Sequence, residues 1–170
     1  MQVLETDRLV LRWLEASDAQ FILELLNDPT WLEYLPDKGV RSLHDARQYI
    51  EHEPRAMYAA CGHGLNLVQL KQTGEALGIC GLLKRDTLED VDLGFAFLGR
   101  HQRRGYGLES SQGVLAHGLR EFGYRRVVAI TSEANRGSGA LLERLGFAVD
   151  GAAELEGFGD GLVLYVTEIG

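Results

Sequence analysis

Apolar positions along the chain change their spacing several times, and each spacing predicts a different kind of element. Helical spacing predicts four helices, which begin near Ser17, at Ser42, after Gly107 and after Asn135. Apolar runs predict strands at residues 9–14, 65–71, 76–83, 91–98, 126–131, 147–152 and 162–168. The first helix should end by Asp28-Pro29, because proline disfavours helical geometry in the residue before it. Residues 30–39 are aromatic and irregular, which indicates a loop that either fills the core or lines a pocket.

The order of these elements indicates one mixed domain. The strands at 65–71 and 76–83 are separated by Gln72–Glu75, which predicts a hairpin, and the strand at 91–98 continues it as a third antiparallel neighbour. Two strand-helix units follow, and two further strands close the sheet. A chain of 170 residues, 45% of them hydrophobic, suffices for one core. We therefore expect a single domain over residues 1–170.

A glycine-containing segment lies between a predicted strand and a predicted helix, and it has the composition of a phosphate-binding loop. Glycines let the backbone approach a ligand closely, and the free N–H groups at a helix N-terminus attract an anion. The candidate binding residues are Gln102, Arg103, Arg104, Gly105, Tyr106, Gly107 and Leu108. A pyrophosphate would suit this loop.

Charge and composition narrow the function classes. The net charge of −8 disfavours nonspecific nucleic-acid binding, which depends on lysine and arginine. No apolar run is long enough to span a bilayer and no signal peptide is evident at the N-terminus, so we expect a cytoplasmic protein. The spacing of Cys61 and Cys80 predicts free thiols, and the five histidines form no metal-binding motif. We expect no metal.

The same glycines leave a second function open. Gly105-x-Gly107-x-x-Ser110 nearly matches the fingerprint of dinucleotide-binding oxidoreductases, and Glu133 follows the next strand. Two features oppose an NAD(P)-binding enzyme. Residues 99–104 separate the glycines from the strand, and the chain holds too few parallel strand-helix units for a doubly wound sheet.

The chain resembles the GCN5-related N-acetyltransferases (GNATs), whose acetyl-CoA site carries Gln/Arg-x-x-Gly-x-Gly/Ala. Here the matching residues are Gln102, Gly105 and Gly107. Within that superfamily the chain is similar to the RimJ/RimL branch, on the segments Leu4–Arg12, Glu109, Asn135-x-x-Ser138 and Leu141–Phe147. The resemblance covers nearly all of the chain. It implies an α/β (α+β) fold with a mixed, mostly antiparallel sheet of about seven strands, helices on both faces, and a splayed central pair of parallel strands.

The resemblance also implies roles for particular residues. Pantetheine would pair with the backbone around Phe95, Ala96 and Phe97, and Asn135 would contact the CoA arm while capping the last helix. Many relatives carry a tyrosine where this chain has Leu142, which leaves Ser138, or water, to protonate the departing thiolate. Asp92 stands where relatives place a base that acts through water. The acidic run from Glu89 to Asp92 favours the alternative of a solvent-facing strand residue at that position, and then water itself would serve as the base.

The implied activity is acetyl transfer from acetyl-CoA, its co-substrate, to a primary amine. The amine would belong to a small molecule or to a peptide or protein N-terminus, with neither nucleic acid nor membrane as a partner, and a homodimer is left open. A catalytically silent domain that binds acetyl-CoA is the remaining alternative.

Overall fold

The computed structural model describes all 170 residues, and its centre is one sheet of eight strands. The strands are β1 Gln2–Glu5, β2 Leu9–Trp13, β3 Leu65–Leu70, β4 Ala76–Leu83, β5 Val91–Phe97, β6 Arg126–Ser132, β7 Ala148–Ala153 and β8 Leu162–Glu168. Their order in the sheet is β1-β2-β3-β4-β5-β6-β8-β7. Every neighbouring pair is antiparallel except β5 and β6, which are parallel. This arrangement confirms the predicted fold class and contradicts a doubly wound dinucleotide-binding sheet.

Six α-helices surround the sheet. They are α1 Ala19–Leu26, α2 Pro29–Tyr34, α3 Leu43–Ile50, α4 Ala56–Cys61, α5 Tyr106–Phe122 and α6 Arg136–Arg144. A π-helical turn, Glu51–Arg55, joins α3 to α4. No helix combines the length and the apolar character needed to cross a membrane.

Both faces of the sheet are covered, because successive strand residues point to opposite sides. Val68 of β3 belongs to a cluster of 16 buried residues that includes Val114 and Leu115 of α5. Its neighbour Leu67 belongs to a second cluster, of 13 residues, formed with α1, α2 and α3. The sheet therefore separates two cores, as expected for helices on both faces.

The structure adds elements that the apolar pattern does not predict. Strand β1 raises the total to eight, and it pairs with β2 along only four residues at the edge of the sheet. Helix α2 replaces part of the expected irregular loop. Asp28 caps this helix by accepting the N–H of Thr30 at 2.9 Å, and Pro29 occupies its first turn. Proline ends a helix before it but is well suited to begin the next one.

The parallel pair β5 and β6 is joined over a very short length. Their ladder consists of Val91 beside Val127 and Asp92 beside Val128, and beyond these residues the strands separate. The predicted splay is therefore present. It opens a cleft along the last five residues of β5.

Candidate active site

One large cavity, of about 1080 Å³, occupies the cleft between β5 and β6. The glycine loop, the start of α6 and the separated part of β5 contribute to its lining. Helices α2, α3 and α4 contribute the rest of the helical lining. Asp92, Gln102, Gly107, Asn135 and Ser138 all line it. The structure thus brings together residues that are up to 46 positions apart in the chain.

The glycine loop presents a row of free backbone amides. None of the N–H groups from Arg103 through Leu108 has a protein acceptor. Gly105, at φ +83°, precedes the first turn of α5 in the left-handed conformation, which glycine adopts without strain. Arg103, at φ +61°, is the one residue other than glycine with a positive φ. Unpaired amides at the N-terminus of a 17-residue helix fit a pyrophosphate, so this loop can hold acetyl-CoA.

Gly107 lies closer to the core than expected for a surface loop. It is half-buried in the first turn of α5, and a Cβ added there would come within 2.7 Å of Leu141 Cδ1. Leu141 and Phe97, the two residues near that position, also line the cavity. A side chain at residue 107 would therefore displace Leu141 as well as approach a ligand.

Arg8 holds this loop from outside, a role that the sequence analysis missed. Its Nη1 donates to the carbonyl of Arg104 at 3.0 Å, and its guanidinium lies 4.7 Å from the centre of the Tyr106 ring. Its Nε and backbone N–H both donate to Glu109, which also accepts the hydroxyl of Thr6 at 2.6 Å. The only sequence signal was the match of residues 4–12 and Glu109 to one branch of the family.

The separated part of β5 has main-chain groups that face the cleft. Leu98 N donates to Leu77 O at 3.1 Å, which makes Ala96 and Ile79 the hydrogen-bonded pair of the β4–β5 ladder. The main chain of Ala96 is therefore already used, and this departs from the expectation that it pairs with pantetheine. Phe95 and Phe97 direct their main-chain groups to the other side, where the Gln102 side chain donates to Phe97 O at 3.1 Å.

Asn135 and Ser138 lie at the start of α6, as the spacing predicts. Asn135 Oδ1 accepts the N–H of Ser138 at 3.2 Å, which is the expected cap. The Asn135 Nδ2 group and the Ser138 hydroxyl make no hydrogen bond within the protein. Leu142, one turn further on, is buried in the core and has no group that could transfer a proton.

Asp92 is buried, which contradicts its interpretation as a solvent-facing residue. Its side chain is 4% exposed, and its Oδ2 accepts the Nε of Arg85 at 2.7 Å. Its Oδ1 has no hydrogen-bond partner. Burial raises the pKa of Asp92 to about 6, although the charge and hydrogen bond of Arg85 act in the opposite direction. This carboxylate can therefore change its protonation state near neutral pH.

Aromatic and other apolar side chains from α2, α3, α4 and the segment between β7 and β8 line part of the cavity. We call this the aromatic wall, and it comprises Trp31, Tyr34, Tyr49, Met57, Leu155 and Phe158. In the sequence, only the segment that contains Trp31 and Tyr34 indicates a pocket. The others come from distant parts of the chain, and no spacing in the sequence connects them.

Comparison with known proteins identifies the family. Residues 8–148 match the acetyltransferase (GNAT) domain. The uncharacterized protein YkkB of Bacillus subtilis is 29% identical over 148 residues, which are 84% of this chain and 83% of that protein. The uncharacterized N-acetyltransferase p20 of Bacillus licheniformis is 25% identical over 152 residues, covering 89% and 85% of the two chains.

Solved structures have the same fold. A putative GNAT-family acetyltransferase from Bordetella pertussis is 28% identical with a TM-score of 0.78, and the match covers 98% of this chain and 99% of that one. RimL, a ribosomal L7/L12 alpha-N-protein acetyltransferase solved with coenzyme A, has a TM-score of 0.82 at 20% identity, covering 99% and 98%. At that identity the likeness to RimL shows a shared fold. The chain therefore belongs to the GCN5-related N-acetyltransferases, enzymes that take an acetyl group from acetyl-CoA.

Proposed function

We propose that this single-domain protein acetylates a primary amine by direct transfer from acetyl-CoA, with Asp92 as the base and Ser138 as the acid. The observation that carries the proposal is the buried carboxylate with one free oxygen, in the same cavity as the row of free amides. A GNAT that only bound acetyl-CoA would have no need for such a carboxylate, because burying a charge is costly.

The glycine loop and the edge of β5 would hold acetyl-CoA. The free amides of residues 103–108 and the side chains of Arg103 and Arg104 would bind the phosphates. The main chain of Phe95 and Phe97 would pair with the pantetheine arm in the cleft, and Asn135 Nδ2 would donate to it from α6. The co-substrate supplies an acetyl group activated as a thioester.

Asp92 would remove a proton from the incoming ammonium group, through a water molecule. A base acts best when its pKa lies near the working pH, and burial has placed that of Asp92 near 6. The bond from Arg85 to Oδ2 fixes the carboxylate and leaves Oδ1 to take the proton. The neutral amine would then attack the thioester carbonyl.

Ser138 would donate a proton to the departing thiolate. Its hydroxyl lines the cavity and makes no hydrogen bond within the protein, so it is available to a ligand. Leu142 cannot substitute for it. The acceptor would be a small-molecule amine or a protein N-terminus, which is the kind of group on which RimL acts.

A thiol-release assay tests this function. Purified protein is given acetyl-CoA and, separately, peptides with free N-termini, polyamines, amino acids and aminoglycosides, and free CoA is measured. We expect acceptor-dependent release that falls by roughly 100-fold in Asp92→Asn. The control Glu89→Gln changes an exposed carboxylate in the same acidic run and should keep full activity.

Two results would contradict the proposal. Full activity of Asp92→Asn would remove Asp92 from the mechanism. If acetyl-CoA binds in calorimetry but no amine releases CoA, the protein is a silent acetyl-CoA-binding domain.

A further inference from the structure

Arg85 lies beside Asp92 in the cavity, and the outer edge of its guanidinium is free. Its Nε donates to Asp92 Oδ2, and its Cζ lies 5.5 Å from the centre of the Phe158 ring. Neither Nη1 nor Nη2 makes a hydrogen bond within the protein. These two nitrogens are the pair of parallel donors that matches the two oxygens of a carboxylate. The bonds to Asp92 and the packing on Phe158 fix the orientation of this edge.

The other cations on this side of the cavity are already engaged. Lys38 forms an ion pair with Glu53 at 3.1 Å, and the ammonium group of Lys84 donates to the carbonyls of Leu88 and Glu89. Of these three cations, Arg85 is the one that keeps a pair of parallel donors free. A bound anion would accept hydrogen bonds from Nη1 and Nη2 of Arg85, which otherwise have no partner in the protein.

Tyr49 adds a neutral donor near Arg85. It belongs to the aromatic wall and is buried, and its hydroxyl makes no hydrogen bond within the protein. Burial raises the pKa of Tyr49, and the charge of Arg85 opposes this only in part, so the hydroxyl keeps its proton. A protonated hydroxyl can donate a hydrogen bond to a carboxylate, and it carries no negative charge that would repel one.

Asp92 and Arg85 therefore offer opposite charges side by side. The Asp92 carboxylate, whose Oδ1 is buried without a partner, would attract an ammonium group in the cavity, and Nη1 and Nη2 of Arg85 can donate to an anion. A simple amine would satisfy only the first group. A protein N-terminus has a neutral amide in place of the anion. An α-amino acid carries an ammonium and a carboxylate on the same carbon, so it would satisfy both.

We propose that the acceptor is a free α-amino acid, whose carboxylate is bound by Nη1 and Nη2 of Arg85 and whose amino group faces Asp92. This inference rests on the proposed function, since it names the acceptor of the same site. The aromatic wall would take a bulky apolar side chain. In the reaction the amine nitrogen forms a bond to the acetyl carbon and the carbon–sulfur bond breaks. The ammonium group loses one proton to Asp92 through water before the attack. The nitrogen loses a second proton after the attack, Ser138 donates a proton to the thiolate and is reprotonated by the one released from nitrogen, and the products are an N-acetylamino acid and CoA.

Matched acceptors test the proposal. One set has the same side chain and differs only at the α-carbon. Phenylalanine has a carboxylate there, phenylalaninamide has a neutral amide, and phenethylamine has a hydrogen. Leucine and tryptophan, each with its amide and its decarboxylated amine, complete the series. We expect kcat/KM for at least one amino acid to exceed that of its amide and amine by roughly 10–100-fold, the effect of losing hydrogen bonds to a charged group.

Variants of Arg85 then show whether this residue makes the distinction. Arg85→Met keeps an unbranched side chain that can pack on Phe158, and the ratio of amino acid to amine should fall to about 1. Arg85→Lys, which keeps the charge without the paired donors, should retain part of the preference. The ratio is the informative quantity, because a change in folding or in Asp92 affects both acceptors alike. The control Arg47→Met removes an exposed arginine outside the cavity and should keep the full ratio.

Three outcomes would overturn the inference. If amides or simple amines are acetylated as well as the amino acids or better, the acceptor is not recognised by its carboxylate, although the proposed function stands. If Arg85→Met retains the preference, another residue makes the distinction. If no amine of any class releases CoA, the proposed function fails as well.

Discussion

At the scale of single residues, Asp92 combines a buried position with an incomplete set of hydrogen bonds. A buried carboxylate normally has every oxygen paired, because an unpaired one loses its hydration without compensation. Here Arg85 pairs only Oδ2. The folded protein thus keeps a costly group in its cleft, which is typical of functional sites.

The pKa of Asp92 gives a prediction for both rate and stability. We expect kcat/KM to rise with pH through about 6, as the carboxylate ionises. The pKa in the folded protein lies above the unfolded value of 3.8, so the proton favours folding. This contribution is present below pH 4 and is lost as the pH rises through about 6. Relative to Asp92→Asn, the wild type should lose about 3 kcal/mol of unfolding free energy over this range.

Urea unfolding of both proteins at pH 4 and pH 7 measures this difference. Other carboxylates have a lowered pKa, among them Asp28 and Glu109. Their contribution to the pH dependence of the unfolding free energy cancels in the comparison, because both proteins contain them. Equal pH dependence in the two proteins would show that Asp92 titrates normally.

The case of Asp92 also shows what the sequence could and could not predict. Its position in the strand and its family role were both available from the sequence. Its burial was not, because the run from Glu89 to Asp92 has the polarity of a surface segment. Burial comes from β4 and β6 on either side, and the partner Arg85 lies across the β4–β5 turn. Such contacts depend on register and side-chain packing, which single residues do not encode.

Ser138 provides a second prediction at this scale. In Ser138→Ala, turnover should fall by roughly 100-fold while acetyl-CoA affinity changes little, because the hydroxyl would act only on the departing thiolate. The cap of α6 should persist, since it uses the backbone N–H of residue 138. Steady-state kinetics with a confirmed acceptor measure the effect. Turnover near that of the wild type would leave water as the acid.

At the scale of elements, the glycine loop is fixed by the turn between β1 and β2, which is far away in the chain. Arg8 and Thr6 precede β2, and through Glu109 they attach that segment to the first turn of α5. Arg8 also bonds the loop itself at Arg104. The positive φ of Arg103 is thus held in place by contacts on the other side of the loop.

Loosening this attachment should weaken acetyl-CoA binding without touching the ligand. In Arg8→Met we expect the Kd for acetyl-CoA to rise roughly tenfold, with a smaller change in the KM of the amine. Glu109→Gln should act in the same direction, and the double variant should be little worse than either, because both break one network. Calorimetry measures the Kd. Additive effects would show that the two residues act independently.

Gly107 gives a prediction that separates packing from ligand contact. Gly107→Ala should weaken acetyl-CoA binding by roughly tenfold or more, and it should also push Leu141 aside. The double variant Gly107→Ala with Leu141→Ala removes the clash between these two side chains. If its affinity stays low compared with Leu141→Ala alone, the new methyl group itself obstructs the ligand. Recovered affinity would mean that Gly107 serves only the packing of α5 against α6.

Element starts were predictable where a capping residue was present, and one start was missed for an instructive reason. Ser42 and Asn135 cap α3 and α6 as the sequence indicates. Asp28-Pro29 was interpreted only as the end of α1, although an acidic cap followed by proline also begins a helix. The π-helical turn after α3 has no comparable local signal, apart from the proline inside it.

At the scale of the whole molecule, the sheet consists of two parts that are joined by a ladder of two residue pairs. A ligand in the cleft would contact β5 on one side and the start of α6 on the other. We expect saturating acetyl-CoA to raise the melting temperature by about 5–10 °C. Amide exchange should slow at residues 95, 97 and 103–108 but not in β1 or β7. Adenosine 3′,5′-bisphosphate, which lacks pantetheine, should not protect residues 95 and 97, and equal protection would refute pairing along β5.

The gap beside β5 affects the tendency of the protein to self-associate. An unpaired strand edge is a template on which another extended chain can add itself, and natural proteins usually blunt such edges with charges or a covering loop. Here the edge runs through Phe95 and Phe97, and in the proposed binding mode pantetheine would take the place of a covering loop. We therefore expect the protein to self-associate more readily without acetyl-CoA than with it.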